Sequence, residues 1–132
     1  RKIYQKEAIV ETAGAAPDIE KQFELTDADR NWLTRLEENV LNNISKFEFN
    51  AEVLAQNIFL SRRQLDRRLK VLTGLTAGEY IREAKLQEAR KLIEARTFLS
   101  VKEVAFEVGL TAPYFSKQYK TRFGKSPSQL LK

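Results

Sequence analysis

The chain has 132 residues, of which 42% are hydrophobic, enough for one domain or two small ones. It contains no cysteine and no histidine, which excludes disulfide frameworks, zinc fingers and catalysis by cysteine or histidine. The net charge is +5 and is unevenly distributed, because residues 61–132 carry sixteen basic and seven acidic side chains whereas residues 1–60 carry seven and eleven. We therefore expect no enzyme, no metal site and no cofactor, and the basic half indicates a polyanionic partner.

Residues 1–25 are interpreted as a linker or as the end of an upstream domain. The stretch 13–17, Ala-Gly-Ala-Ala-Pro, is small and helix-breaking, and the chain opens on Arg1 rather than on methionine. No apolar run is long enough to span a membrane and no secretory signal is recognisable. We expect a cytoplasmic protein whose input domain lies upstream of Arg1.

The remaining sequence predicts an all-α fold, because apolar residues recur at helical spacing and no stretch alternates like a strand. The first predicted helix ends near Ser45, and its stripe of Trp32, Leu36 and Val40 is expected to be core. A longer helix is predicted to end near Arg96. Residues that can cap a helix or precede its first turn mark the predicted starts: Thr26, Asn50, Ser61, Thr76, Ser100, Thr111 and Ser126.

The stretch 61–70, SRRQLDRRLK, is the most unusual part of the sequence. Leu65 and Leu69 lie four residues apart and form one apolar stripe, whereas the basic side chains fall on the opposite side. Ser61 and Gln64 have the spacing of a capping box. A short, capped, basic helix suits insertion into a DNA major groove, although an isolated charge run is more often a solvated face.

An ungapped internal repeat with an offset of 50 residues favours the DNA-binding interpretation over a solvated charged face. Caps, core positions and turn glycines all coincide, so chance is an unsatisfactory explanation. The repeat predicts two helix-turn-helix units, at about 50–74 and 100–124, joined by a helix at about 77–96. The matched pairs include Asn50 with Ser100, Ala55 with Ala105, Leu65 with Phe115, Leu69 with Tyr119, Lys70 with Lys120, and Gly74 with Gly124.

These residues resemble the DNA-binding domain of AraC/XylS-type transcriptional regulators. The resemblance covers about residues 28–132, most of the chain. It is carried by AEVLAQNIFLSRRQLDRRLKVLTG, GEYIREAKLQEARKLI, SVKEVAFEVGL and YFSKQYKTRFGKSPSQL. It implies two helix-turn-helix subdomains bridged by a long helix. It also implies that the two recognition helices enter successive major-groove segments on one DNA face, about one helical turn (~34 Å) apart.

The sequence departs from the family pattern in two places. Phe59 occupies the first turn, where the family commonly has glycine, as at Gly109 in the second turn. We expect Phe59 to be packed and the first turn to be slightly altered. The segment between Gly109 and Tyr114 is one residue shorter than usual, which shifts the expected start of the second recognition helix.

Individual roles follow from the charge pattern and the family resemblance. Arg63 and Arg67 are the first choices for base contact, because an arginine fork can bind guanine O6 and N7 together; their alternative role is phosphate contact. Asp66 could accept a hydrogen bond from cytosine or orient Arg62 or Arg63, and the orienting role is favoured. In the second unit we expect base contacts from Ala112, Ser116 and Lys117. The expected phosphate contacts, which position the protein without specifying sequence, are Arg62, Arg68, Lys70, Lys120, Arg122 and Lys125.

The leading interpretation is a sequence-specific reader of double-stranded DNA that forms the output domain of a transcription regulator. The alternatives are a nonspecific nucleic-acid-binding module and a helical protein-interaction domain for acidic partners. The expected partners besides DNA are RNA polymerase, an upstream sensory or receiver domain of the same protein, and a second copy bound through regions outside this chain.

Overall fold

A computed structural model describes residues 25–96 and 100–131, so the predicted linker lies almost entirely outside the described residues. Within these two ranges every regular element is a helix and no strand is present, as the all-α prediction requires. The seven helices of this described part are α1 (Asp27–Asn42), α2 (Ala51–Asn57), α3 (Arg62–Thr73), α4 (Ala77–Glu94), α5 (Val101–Glu107), α6 (Ala112–Phe123) and α7 (Pro127–Leu130).

The predicted caps account for most of the helix starts. The Asn50 side chain accepts a hydrogen bond from the Val53 N–H, and Ser61 and Ser100 form reciprocal capping boxes with Gln64 and Glu103. Each cap satisfies backbone donors that lack partners in the first helical turn. Thr111 precedes α6 without a side-chain cap hydrogen bond. Helix α1 ends at Asn42 and α4 at Glu94, slightly earlier than predicted.

The chain forms two compact units, which we call the first unit and the second unit. The first unit contains residues 25–41 and Asn50–Ile81, and the second contains Asn42–Phe49, 82–96 and 100–131. Helix α4 begins in the first unit and continues into the second. It is therefore the predicted linking helix.

The internal repeat is present in the structure with a constant offset of 50 residues. Helices α2 and α3 of the first unit correspond to α5 and α6 of the second, with identical lengths. Helix α3 is followed by Gly74 with φ +82°, and α6 is followed by Gly124 with φ +84°. Both glycines adopt the left-handed conformation that commonly ends a helix.

The shortened segment after Gly109 does not displace the second basic helix within the repeat. Helix α6 begins at Ala112, 50 residues after the start of α3 at Arg62. The turn before each helix is closed by the same hydrogen bond, from the N–H of Leu60 to the Ala55 carbonyl and from Leu110 to Ala105, both 2.9 Å. The two basic helices are therefore in register within their respective units.

The expectation that Phe59 is packed is wrong. Phe59 is 92% exposed and has φ +63°, close to the +67° of Gly109. The expected change in the first turn is also absent, because Phe59 and Gly109 donate equivalent hydrogen bonds to the Gln56 and Phe106 carbonyls. The first turn keeps its geometry by holding a phenylalanine in a conformation that L-residues rarely adopt.

The second turn requires glycine for a steric reason. A Cβ atom on Gly109 would lie 2.8 Å from Nζ of Lys85 and 2.9 Å from the carbonyl carbon of Ser45. The Lys85 ammonium is buried there and donates to the carbonyls of Ile44 (2.8 Å), Lys46 (3.3 Å) and Val108 (2.9 Å). Burial lowers the pKa of Lys85 from 10.5 to about 8, and the negative charge of Glu48 partly opposes the shift.

The apolar side of α6 packs into the core of the second unit. Leu86, Ala89 and Ile93 of α4 are buried with Val104 and Val108 and with two aromatic residues of α6, Phe115 and Tyr119. In the first unit Leu65 and Leu69 of α3 are fully buried, as are Leu36, Val40 and Leu54. The apolar stripe predicted for each basic helix is therefore core, which leaves the opposite side exposed.

Candidate nucleic-acid interface

Helix α3 presents its basic side chains on an exposed face. Ser61 begins the helix and accepts from the Gln64 N–H at 3.1 Å, while the Gln64 side chain accepts from the Ser61 N–H at 2.9 Å. Arg63, Arg67 and Lys70 are exposed, and among the described residues none of these three cations forms an ion pair. Both predicted base-reading arginines are thus available to a partner.

Helix α6 has a comparable face with fewer cations. Lys117 and Lys120 are exposed, and Ala112 and Ser116 are half-buried beside them. Pro113 lies in the first turn, where its missing N–H leaves no intrahelical hydrogen bond unmade. The exposed Tyr114 continues this face. The structure therefore brings the three predicted base-contact positions of the second unit together on one side of α6.

The three predicted phosphate-binding arginines are held by partners within their own units. Arg62 pairs with Glu52 (3.2 Å) and with Asp66 (3.1 Å). Arg68 lies 4.2 Å from the centroid of the Trp32 ring and 3.8 Å from a carboxylate oxygen of Asp29.

Arg122 makes a bidentate contact with Glu83 of α4, with its Nε 2.9 Å from Oε1 and its Nη2 2.9 Å from Oε2. The sequence could not predict these contacts, because the partners lie 36 or more residues from their arginines. These partners are Asp29, Trp32 and Glu83.

The lysines predicted to contact phosphate differ from these arginines. Lys70, Lys120 and Lys125 are exposed, and in the part of the chain that the structure describes none of them forms an ion pair. Their ammonium groups can approach a phosphate without breaking an existing contact. The predicted phosphate set thus divides into three arginines with internal partners and three lysines without them.

Asp66 is held from two sides. Its Oδ2 accepts from Nε of Arg62 at 3.1 Å and its Oδ1 accepts from the backbone N–H of Ala77 at 2.8 Å. The second bond satisfies a free donor at the start of α4. The geometry favours the predicted orienting role for Arg62, because both carboxylate oxygens already have donors.

Within residues 25–96 and 100–131, no cluster of acidic side chains is positioned to hold a metal ion. Among the described helices, none is both long and apolar enough to cross a bilayer.

Comparison with known proteins agrees with this geometry. A family model described as a helix-turn-helix domain matches residues 54–132. The chain is also similar to a transcriptional regulator structure from Chromobacterium violaceum, described as having an AraC-type DNA-binding domain, with a TM-score of 0.70 and 25% identity over 80% of this chain and 94% of that one. The chain belongs to the AraC-type helix-turn-helix family. AraC-type domains of this family bind DNA and regulate transcription.

Two curated relatives show the settings in which such AraC-type domains occur. The chain is 40% identical over 77 residues to the HTH-type transcriptional regulator CdhR of Pseudomonas aeruginosa, a match covering 58% of this chain and 23% of the relative. It is 28% identical over 109 residues to histidine kinase P4 of Formosa agariphila, covering 82% of this chain and 8% of the relative. The chain therefore spans less than a quarter of the length of each of these relatives.

Proposed function

We propose that this domain binds double-stranded DNA sequence-specifically, with α3 and α6 each inserted into a major groove. The observation that carries the proposal is the repeat itself, in which two helices of equal length present exposed cationic faces at a constant offset of 50 residues. A single charged face would be unremarkable on a helical protein. Two such faces, one in each unit, are what a protein with two helix-turn-helix units would use to read DNA.

Arg63 and Arg67 are the proposed base-reading residues of α3. Both are exposed, and among the described side chains neither has an internal carboxylate partner. Each guanidinium can form two hydrogen bonds with guanine, which contributes about 1–3 kcal/mol of discrimination per base pair. Asp66 acts indirectly, because it holds Arg62 beside this face. In α6 the proposed contacts come from Lys117, Ser116 and Ala112.

The phosphate contacts are proposed to come first from Lys70, Lys120 and Lys125. Arg62, Arg68 and Arg122 contribute less, because a phosphate must compete with the carboxylates that already hold them. Contacts of this kind set register and affinity but carry no sequence information.

Selection from a random duplex pool, followed by competition binding, tests the proposal. The selected site should bind at least about 100-fold more tightly than unrelated duplexes. Arg63→Ala should weaken the selected site by about tenfold or more while leaving unrelated duplexes nearly unchanged. Arg35→Ala is the matched control, because Arg35 is an exposed arginine on α1 outside the proposed interface.

Two outcomes would reject sequence-specific reading. Equal displacement by every unrelated duplex would leave a nonspecific nucleic-acid module. Absence of saturable duplex binding at low salt would favour a protein-interaction domain for acidic partners, since phosphate contacts are strongest there.

We further propose that the domain is the output module of a larger cytoplasmic signalling regulator that acts on transcription through RNA polymerase. The similarity to a protein named as a histidine kinase supports an upstream sensory or receiver domain. A second copy, bound through regions outside this chain, would supply a further half-site contact. Comparing DNA affinity of the complete protein with and without its input signal tests the coupling.

A further inference from the structure

A cleft of about 670 Å³ lies in the second unit, and its lining includes Arg122 and Lys125, which are also predicted phosphate contacts. It is bounded by the last turn of α4, by the C-terminal part of α6 and by α7. Its apolar walls come from Ile93, Phe123 and Leu130. A cleft of this volume is large enough for a small organic molecule.

Cations line the cleft, and they fall into two classes. The guanidinium carbons of Arg90 and Arg122 each lie 4.8 Å from the centroid of the Phe123 ring. Arg90 forms an ion pair with Glu94 at 3.2 Å. Among the described residues, Glu94 is the only carboxylate that lines the cleft, and this ion pair neutralises its charge.

Arg96 and Lys125 also line the cleft, and among the described residues neither has an ion-pair partner. Arg96 adopts a left-handed conformation with φ +56°. A left-handed residue commonly follows the C-terminus of a helix, and Arg96 is the second residue after α4. The cleft therefore contains two cations available to an anionic ligand.

Tyr119 adds a polar group for which the described structure offers no hydrogen-bond partner. The residue is 1% exposed, and its ring contacts Phe115 and Phe123 at centroid distances of 5.5 and 4.7 Å. Tyr119 lines the cleft beside Arg90 and Glu94. Burial raises the pKa of Tyr119, so the hydroxyl remains a donor at neutral pH. An acceptor atom of a ligand in the cleft would satisfy this donor.

The first unit shows that the fold does not require this arrangement. The residues 50 positions before Arg90, Tyr119 and Phe123 are Val40, Leu69 and Thr73. All three are fully buried, and the Thr73 hydroxyl donates to the Leu69 carbonyl at 2.8 Å. The same place in the repeat is therefore filled by aliphatic packing with its polar atom satisfied.

We propose that the cleft binds an amphipathic organic carboxylate. The flat apolar body lies against Ile93, Phe123 and Leu130, and the carboxylate accepts from Arg96, Lys125 and the Tyr119 hydroxyl. A carboxylate with an apolar body fits better than inorganic phosphate, because phosphate would leave the apolar walls uncovered. The site would let a metabolite bind to the DNA-binding domain itself.

Amide-shift titration of the 132-residue chain with 2-naphthoate tests the proposal. Saturable shifts should appear at Arg96, Tyr119, Lys125 and Leu130, with a submillimolar Kd. The neutral isostere 2-naphthamide and inorganic phosphate should each bind at least about tenfold more weakly, since each lacks one part of the recognised structure.

Three variants separate the parts of the site. Tyr119→Phe should weaken 2-naphthoate about fivefold by removing one hydrogen bond, and Arg96→Gln and Lys125→Gln should each weaken it at least fivefold. Lys102→Gln is the matched control, because Lys102 is an exposed lysine of α5 that does not line the cleft, and it should leave the affinity unchanged.

Four results would overturn the proposal: no saturable shift up to about 10 mM 2-naphthoate, equal affinity for the amide, equal affinity for phosphate, or an equal loss in the Lys102→Gln control. Full affinity in Tyr119→Phe would overturn the role of the hydroxyl. These outcomes are independent of DNA binding, so they do not depend on the proposed function.

Discussion

Asp66 of α3 accepts a hydrogen bond from the backbone N–H of Ala77, the first residue of α4, at 2.8 Å. The corresponding pair in the second unit is Ser116 and Pro127, and proline has no N–H to satisfy. In the first unit a carboxylate thus accepts from the free N–H at the start of a helix. In the second unit the corresponding residue is proline, so there is no N–H that needs an acceptor. This difference explains why the two basic helices carry different residues at the same position of the repeat.

Asp66→Ala should lower the free energy of unfolding of the first unit by about 1–2 kcal/mol, because it removes a helix cap and frees Arg62. Trp32, the single tryptophan of the chain, is buried in that unit and can report its urea denaturation by fluorescence. Amide exchange at Ala77 should accelerate by about tenfold. Ser116→Ala is the matched control and should change stability by less than about 0.5 kcal/mol. Unchanged protection of Ala77 in Asp66→Ala would contradict the capping role.

The two turns should respond oppositely to substitution. Gly109→Ala should cost about 2–4 kcal/mol, because the added Cβ meets the Ser45 backbone and the conformation is left-handed. Phe59→Gly should instead stabilise the protein by about 0.5 kcal/mol, since it relieves the same strain at an open position. Phe59→Ala keeps the strain and should be nearly neutral. Urea denaturation measures all three, and a large loss in Phe59→Ala would show that the side chain supports the fold.

Lys85 should make the stability of the second unit dependent on pH. Its folded pKa of about 8 lies below the ordinary value of 10.5. Below pH 8 both folded and unfolded chains hold the proton, so the burial cost is fully present. Between pH 8 and 10.5 the unfolded chain binds more protons, so this group makes stability rise with pH.

The Cε chemical shift of Lys85 should titrate with a midpoint near pH 8. The difference in unfolding free energy between the native chain and Lys85→Met should increase from pH 8 to pH 10. Lys46→Met is the control, because Lys46 is exposed. A Lys85 midpoint near 10.5 would refute the effect of burial.

The salt dependence of DNA binding should distinguish free lysines from paired arginines. Lys120→Gln should reduce the slope of log affinity against log salt by about 1, because one phosphate contact is lost. Arg122→Gln should reduce it by less, because Glu83 already holds that guanidinium. It should also destabilise the second unit, since it breaks a bidentate pair. Equal reductions in slope would show that Arg122 leaves Glu83 to contact phosphate.

Much of the local structure could be predicted because its causes are local. Ser61 with Gln64 and Ser100 with Glu103 are three residues apart, so their capping boxes are readable from spacing. The prediction that Phe59 is packed was wrong because its side-chain direction depends on the turn. Its aromatic character suggested packing, but its position in the turn, fixed by the Leu60 to Ala55 hydrogen bond, directs the side chain into solvent.

The sequence by itself determined the all-α class, the two helix-turn-helix units and the basic faces of α3 and α6, because periodicity, caps and the 50-residue repeat are short-range or self-comparing signals. Only the tertiary structure decided which cations are available. Glu83 reaches Arg122 across 39 residues, and Asp29 and Trp32 reach Arg68 from another helix. The attraction between two charges depends on their distance in space and weakens as that distance grows. Residues that are close in space can lie at any separation in the sequence, so these pairs could not be predicted from it.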